Sequence, residues 1–287
     1  MSIPTEKRAI SDIPDVRMKD RNPGEWGRFT ILVIVTAIVM IPVFVVFILG
    51  LRPRTLTPGY EFFAGNIAYV FQEANAYRWM TNSIVVALVT TAAAVVVAAF
   101  GGYVLSRAKS KWAAGYSVSL FIVQSVPIIA SVIPLFFLFA SLSLVDSIVG
   151  VNIIYVGTTV PVAVWMMGAY YDSIPKSLEE AAWIDGASRF GSFVRIVLRN
   201  SLPGVLSVGI FSFLQAWNDF LVALIFLRST DNYTAAIGLL TFFQQNTVDW
   251  GAIMGLAIMM MAPPVLIFIF LNRYFSVGGI GGALAGR

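Results

Sequence analysis

From Trp112 to Val145 the chain runs for 34 residues without a charged side chain, and from Phe29 to Leu51 it does so for 23. At about 1.5 Å of rise per residue, about 20 residues of helix cross a hydrocarbon core of about 30 Å. Trp79–Ser106, Ser147–Tyr171 and Trp250–Asn272 are uncharged as well, and Asn200–Leu227 carries the single charge of Asp219. The composition agrees: 58% of residues are hydrophobic and 12% charged, where a soluble domain has about a quarter charged. The expected fold is an all-α polytopic membrane protein with about six transmembrane helices.

The segments between the runs set the topology. Residues 1–28 hold six Lys/Arg and five Asp/Glu, and Pro4, Pro14 and Pro23 prevent a helix. They read as a cytoplasmic N-terminal tail. The apolar run that follows is too long for a cleavable signal core of about 7 to 15 residues. Arg52 to about Met80 is a polar, aromatic-rich loop, with the second helix beginning near Asn82 and ending before Arg107, Lys109 and Lys111. In the third run Pro127 and Pro134 are expected to interrupt the helix, Asp146 marks a turn, and Pro161 falls in the middle of the fourth helix. Asp172–Arg199 joins helices 4 and 5, Arg228–Asp249 is a loop, and Pro263–Pro264 sit in the sixth helix, before a Gly-rich tail, Arg273–Arg287. This arrangement puts 15 of the 19 Lys/Arg on one side. By the positive-inside rule that side is the cytoplasm, with both termini on it. A transmembrane domain over 29–272 then lies between tails 1–28 and 273–287.

Several chemistries are excluded. There is no cysteine and no histidine, so disulfides, thiol catalysis and imidazole metal sites drop out. No G-x-x-x-x-G-K-[ST] stretch is present to cradle a nucleotide. Gly278-Gly279-Ile280-Gly281-Gly282 has no strand before it, and reads as a flexible or extended tail. No basic patch interleaves with aromatics as nucleic acid would require. A membrane enzyme would need paired carboxylates or metal ligands at the interface, and none cluster there.

The best-patterned polar stretch is Asp172–Arg199. Ser177-x-x-Glu180 has the spacing of a capping box, which starts a short helix. Ala181 and Ala182 lie one turn beyond Leu178 and offer a face a partner can approach closely. Gly186 suits the left-handed residue that ends such a helix, and Ser188 can cap a second helix running to Leu198. A helix lying on lipid is typically basic, whereas here Lys176, Arg189, Arg195 and Arg199 are balanced by Asp172, Glu179, Glu180 and Asp185. That neutrality favours a protein partner. In the fifth helix Gln215, Trp217, Asn218 and Asp219 have two readings: interhelical hydrogen bonding with an aromatic near the interface, or a polar lining for a solute path. Polar residues commonly tie helices together, which favours the first. One charge in the spans is less titratable apparatus than an ion-coupled carrier generally needs.

At this loop the chain resembles the membrane subunits of ABC importers. Their signature runs Glu-Ala-Ala, three residues, Gly, nine residues, Ile-x-Leu-Pro, and Glu180, Ala181, Ala182, Gly186, Ile196 and Leu198 fall at that spacing. Arg199 stands in place of the usual proline, and Pro203 matches a second one often seen, so the kink into helix 5 is expected to be displaced. Ile174–Glu179, Asp185–Ser188, Trp217–Leu221, Asn82–Ser83 and Arg273 resemble the carbohydrate branch, close to maltose-type permeases. Residues 1–28 carry no part of this resemblance.

The resemblance implies a half-channel in the inner membrane that pairs with a second, similar permease. It also implies two ATPase subunits that bind the ATP and Mg, an extracytoplasmic sugar-binding protein, and no cofactor in this chain. Glu180, Ala181, Ala182, Asp185 and Gly186 would contact an ATPase through a coupling helix. Ser177, Leu178, Ile196, Leu198 and Arg199 would support that helix, and the C-terminal tail would reach between the ATPases. The nearest alternatives are an ABC importer for a polyol, glycerol phosphate or peptide, and an autonomous secondary carrier.

Overall fold

The computed structural model describes residues 24–55, 57–243 and 248–279. The N-terminal tail up to residue 23 and the end of the C-terminal tail from residue 280 lie outside these. The chain forms two units, residues 1–45 and 46–287. Most of α1 (Gly24–Gly50) belongs to the first. Ile31, Leu32, Ile38 and Phe44 point different ways from it and all are exposed, as suits a helix apolar on every side.

The second unit is built around α3 (Ala76–Arg107) and α6 (Ile148–Asp172). Ala94, Ala98 and Gly102 recur every fourth residue on one face of α3 and are buried. They meet Ala163, Val164, Met167 and Gly168 of α6. A Cβ at Gly102 would stand 2.7 Å from the Met167 Cβ and 2.8 Å from the Gly168 nitrogen. Small residues let the two backbones approach where lipid gives no hydrophobic drive for helices to associate. α9 (Leu202–Trp217) packs on both, burying Val208, Phe213 and Ala216.

Two spans are bent. α4 (Lys111–Ser125) and α5 (Ile128–Ser141) meet at 92°. Val126 takes the extended conformation that a following proline favours, with ψ 116°. Of the two prolines expected to interrupt this run only Pro127 does so, because Pro134 stays inside α5, as Pro161 stays inside α6. α7 (Ser177–Ile184) and α8 (Arg189–Ser192) follow α6. The chain then continues as a π-helical segment, Phe193–Leu198, which meets α9 at 77°. Pro203 sits in the first turn of α9. Its ring excludes a helical carbonyl four residues back, at Arg199, so the kink falls at Arg199–Ser201.

α1, α3, α6 and α12 (Trp250–Gly279) are each long and apolar enough to cross a membrane, and the two bent pairs bring the total to six if each is one span. Four boundaries differ from expectation. α1 starts at Gly24, five residues before Phe29. α3 starts at Ala76, six residues before Asn82, and a short α2 (Gly65–Gln72) precedes it. α12 continues past Asn272 to Gly279, so Gly278 and Gly279 are helical rather than tail. The segment after α10 (Leu221–Phe226) is not an open loop. It folds into turns at Thr230–Asn232 and Leu239–Phe242 around α11 (Ala235–Gly238).

Candidate functional site

The α7–α8 loop begins without the expected capping box. Lys176 is already helical (φ −62°, ψ −28°), and Ser177 is the first residue of α7, with no side-chain cap. The reason is Pro175-Lys176, whose carbonyls take the first free N–H groups: Leu178 donates to Pro175, and Glu179 and Glu180 to Lys176. The end of α7 follows expectation. Gly186 has φ +87°, its N–H donates to the Trp183 carbonyl, and Ala187 donates back to Ala182. This paired closure needs a left-handed residue, and glycine takes that conformation without a Cβ clash. Ser188 then caps α8 by accepting the Gly191 N–H. Trp183 Nε1 donates to Ser192 Oγ at 2.8 Å, pinning the two short helices together.

The helical phase sorts the loop into two faces. Glu179 (2% exposed) and Ala182 turn inward, while Glu180, Ala181, Asp185, Gly186 and Ile184 (86% exposed) turn out. Ala182 therefore packs against the body and is not open to a partner. Ser177, Leu178 and Arg199 are also exposed, and Ile196 and Leu198 half-buried.

Sequence reasoning missed the residue beneath. Glu179 Oε1 accepts from Arg107 Nε at 2.6 Å, and Oε2 accepts from Tyr103 Oη at 2.6 Å. The guanidinium also donates to the carbonyls of Tyr171 and Ile174 at the end of α6. A buried carboxylate is tolerable only with such partners. The available signal was phase: Glu179 and Ala182 share a face, whereas the capping-box pattern draws attention to Glu180.

The second polar place lies among the α4–α5 bend, the break between α9 and α10, and α6. Gln124, Tyr155, Thr158, Thr159, Gln215 and Asp219 line a cleft of about 240 Å³ with Pro127, Ile128 and other apolar neighbours. Asp219 falls in the break between α9 and α10. Its Oδ1 accepts from Tyr155 Oη at 2.7 Å and from the Val222 N–H at 3.0 Å, so it caps α10 and joins it to α6. The Thr159 hydroxyl is buried with no partner. Of the four residues singled out here, Gln215 and Asp219 line the cleft. Trp217 is in the core, stacked on Phe213 at 5.5 Å, and Asn218 faces Met260 and Met261 instead. Among the described residues no Lys or Arg lines the cleft, so it offers hydrogen-bonding groups and one carboxylate.

Residues 94–277 match the family model described as a binding-protein-dependent transport system inner membrane component. The chain belongs to this family. It is a multi-pass membrane protein of the ABC importer permease type. Within the family it is 34% identical over 208 residues to the inner membrane ABC transporter permease protein YcjP of Escherichia coli (strain K12), covering 72% of this chain and 74% of that one. It is 32% identical over 235 residues to the arabinooligosaccharides transport system permease protein AraQ of Halalkalibacterium halodurans, covering 80% and 81%. A crystal structure of a bacterial ABC transporter involved in the import of the acidic polysaccharide alginate matches its fold with a TM-score of 0.70, at 18% identity, over 88% of this chain and 96% of that one.

Proposed function

We propose that the chain is one of two membrane-spanning subunits of an ATP-driven importer for a sugar or oligosaccharide, and is itself no enzyme. Relatives such as AraQ support the solute class. Both termini are cytoplasmic in this reading, and the bilayer-spanning domain covers 29–272, with residues 1–28 and 273–287 on the cytoplasmic side of it. ATP and Mg belong to two ATPase partners, a second permease completes the pathway, and an extracytoplasmic binding protein delivers the solute.

The observation that carries the mechanism is the outward face of α7: Glu180, Ala181, Ile184, Asp185 and Gly186 are exposed together at the end of a short helix closed at both ends. An exposed isoleucine between two carboxylates is poorly served by water and poorly served by lipid. A groove on an ATPase serves both. Closure of the ATPases displaces α7 and switches the open side of the cleft beside Pro127 and Asp219, the free energy entering through different contacts in the two states. Gln215 and Asp219 then face the solute path, since a charge in a span belongs against water or protein rather than lipid.

The test is transport in proteoliposomes. Uptake of a labelled oligosaccharide is expected only with the ATPase, second permease, binding protein and ATP all present. Uptake by this chain alone, down a solute gradient or with an ion gradient, overturns the importer reading in favour of an autonomous carrier. ATP-driven uptake of a polyol, glycerol phosphate or peptide in place of sugars leaves the mechanism and replaces the solute.

A further inference from the structure

α3 has polar joints at both ends. At one end Arg107 holds Glu179 of α7, the Tyr171 carbonyl in the last turn of α6 and the Ile174 carbonyl just beyond it. At the other, Trp79 Nε1 donates to the Thr230 carbonyl at 2.9 Å, Asn82 Nδ2 to the carbonyls of Asp231 and Tyr233, and Ser83 Oγ accepts the Ala235 N–H at 2.8 Å. Both belong to one helix of 32 residues without a proline, about 48 Å long.

The other routes out of the loop are softer. Toward α9 the chain passes through a π-helical segment and a 77° bend. Toward α6 it passes through Ser173–Lys176, four residues outside either helix. A bend or a short linker absorbs a displacement, while an unbroken helix carries it. The ion pair is also costly to part, because separation strands the Glu179 charge in a site with 2% exposure.

We propose that Arg107 and Glu179 are positioning residues that join the loop to α3, so that movement of α7 is carried along α3 to the Thr230–Ala235 segment. The joint rests on the importer reading above. It adds a second connection between the ATPase side and the far side, one that bypasses the chain-linked helices.

The experiment uses the assembled importer in nanodiscs with spin labels on Lys176→Cys and Tyr77→Cys, two exposed positions at the two ends of the route and outside the docking face, in a chain without native cysteine. The distance between the labels is expected to be the same without nucleotide and with trapped ATP. In the double variant Arg107→Met/Glu179→Met, which fills the joint without stranding a charge, that distance changes with nucleotide. The ATPases still co-purify, and solute transported per ATP hydrolysed falls about tenfold. A merely structural role would lower assembly and transport together. Tyr103→Phe removes only the hydroxyl bonded to Glu179 and serves if the double variant does not fold, with a smaller fall in the same ratio expected. Wild-type labels that separate on ATP binding, or variants that transport per ATP as wild type does, overturn the joint alone. A wild-type assembly that does not transport on ATP overturns the importer reading and the joint with it.

Discussion

The two ends of α3 handle their charges in opposite ways. At the α7 end one carboxylate, Glu179, is buried under an ion pair, and the neighbouring Glu180 and Asp185 are left exposed beside Ile184. At the far end the carboxylates are spent on the fold itself. Asp146, in a left-handed turn, accepts the N–H groups of Arg228 and Ser229. Asp249 accepts two bonds from Arg54 and the N–H of Ala252, while Arg54 also lies 3.7 Å from the centroid of the Tyr69 ring. One end is an anchored platform with an open face, and the other is a closed segment tied down by its own polar groups. Open groups over a rigid base are what a docking surface needs, and internal satisfaction is what a cover needs.

The comparison breaks most sharply at the ion pairs. Glu179→Ala is expected to destabilise the protein by about 3 to 5 kcal/mol, since Arg107, 13% exposed, is left charged beside a vacated site that is 2% exposed. Asp249→Ala is expected to cost less, about 1 to 3 kcal/mol, because the Asp249 site is 22% exposed against 2% for Glu179, so water can replace the lost carboxylate. Denaturation in detergent that ranks the two the other way would remove the distinction between the ends. Next comes Gly186→Val. Nothing lies within 4 Å of the added Cβ, so the cost is backbone strain alone, about 1 to 2 kcal/mol. The chain should still insert, while ATP-driven transport is lost; unchanged transport would count heavily against α7 as a lever.

Glu180→Ala is expected to change stability by less than about 0.5 kcal/mol yet weaken recovery of the ATPase by pull-down. With no side-chain cap at α7, equal recovery would leave Glu180 without a part in coupling. The smallest effect is on acid stability at the far end. Burial pushes the Asp249 carboxyl up, but the hydrogen bonds from Arg54 and the Ala252 N–H outweigh it and hold the group below its usual value of 3.8. Asp146 is lowered in the same way by the N–H groups of Arg228 and Ser229, against its own burial. A depressed carboxyl contributes stability above the ordinary value and loses it as pH falls through the depressed one. Melting temperature should therefore drop below about pH 4, and Asp249→Asn should flatten that drop.

Much of this was legible from residue order, for reasons that also explain what was not. Uncharged length marks a span because lipid penalises charge wherever the helix sits, and the runs at Phe29, Trp79, Ser147 and Trp250 did become long helices. Gly186 was readable because a left-handed closure is a local demand. The bend at Pro127 and the continuity at Pro134 were not separable, since neighbouring helices decide whether a proline breaks a span. The Arg228–Asp249 segment read as loop because its order comes from Trp79, Asn82 and Ser83, about 150 residues away in sequence. Glu179 was overlooked for a similar reason: its partner, Arg107, is 72 residues earlier, and only tertiary packing shows which of two adjacent glutamates turns inward.

Cross-linking from Ile184 tests the central claim most directly. The residue is 86% exposed and would carry the only cysteine in the chain. Ile184→Cys fitted with a short photoreactive group, in vesicles that are importing solute on ATP, should trap an ATP-binding subunit and stop transport as the adduct forms. Adducts to lipid alone, with transport undisturbed, would contradict the account.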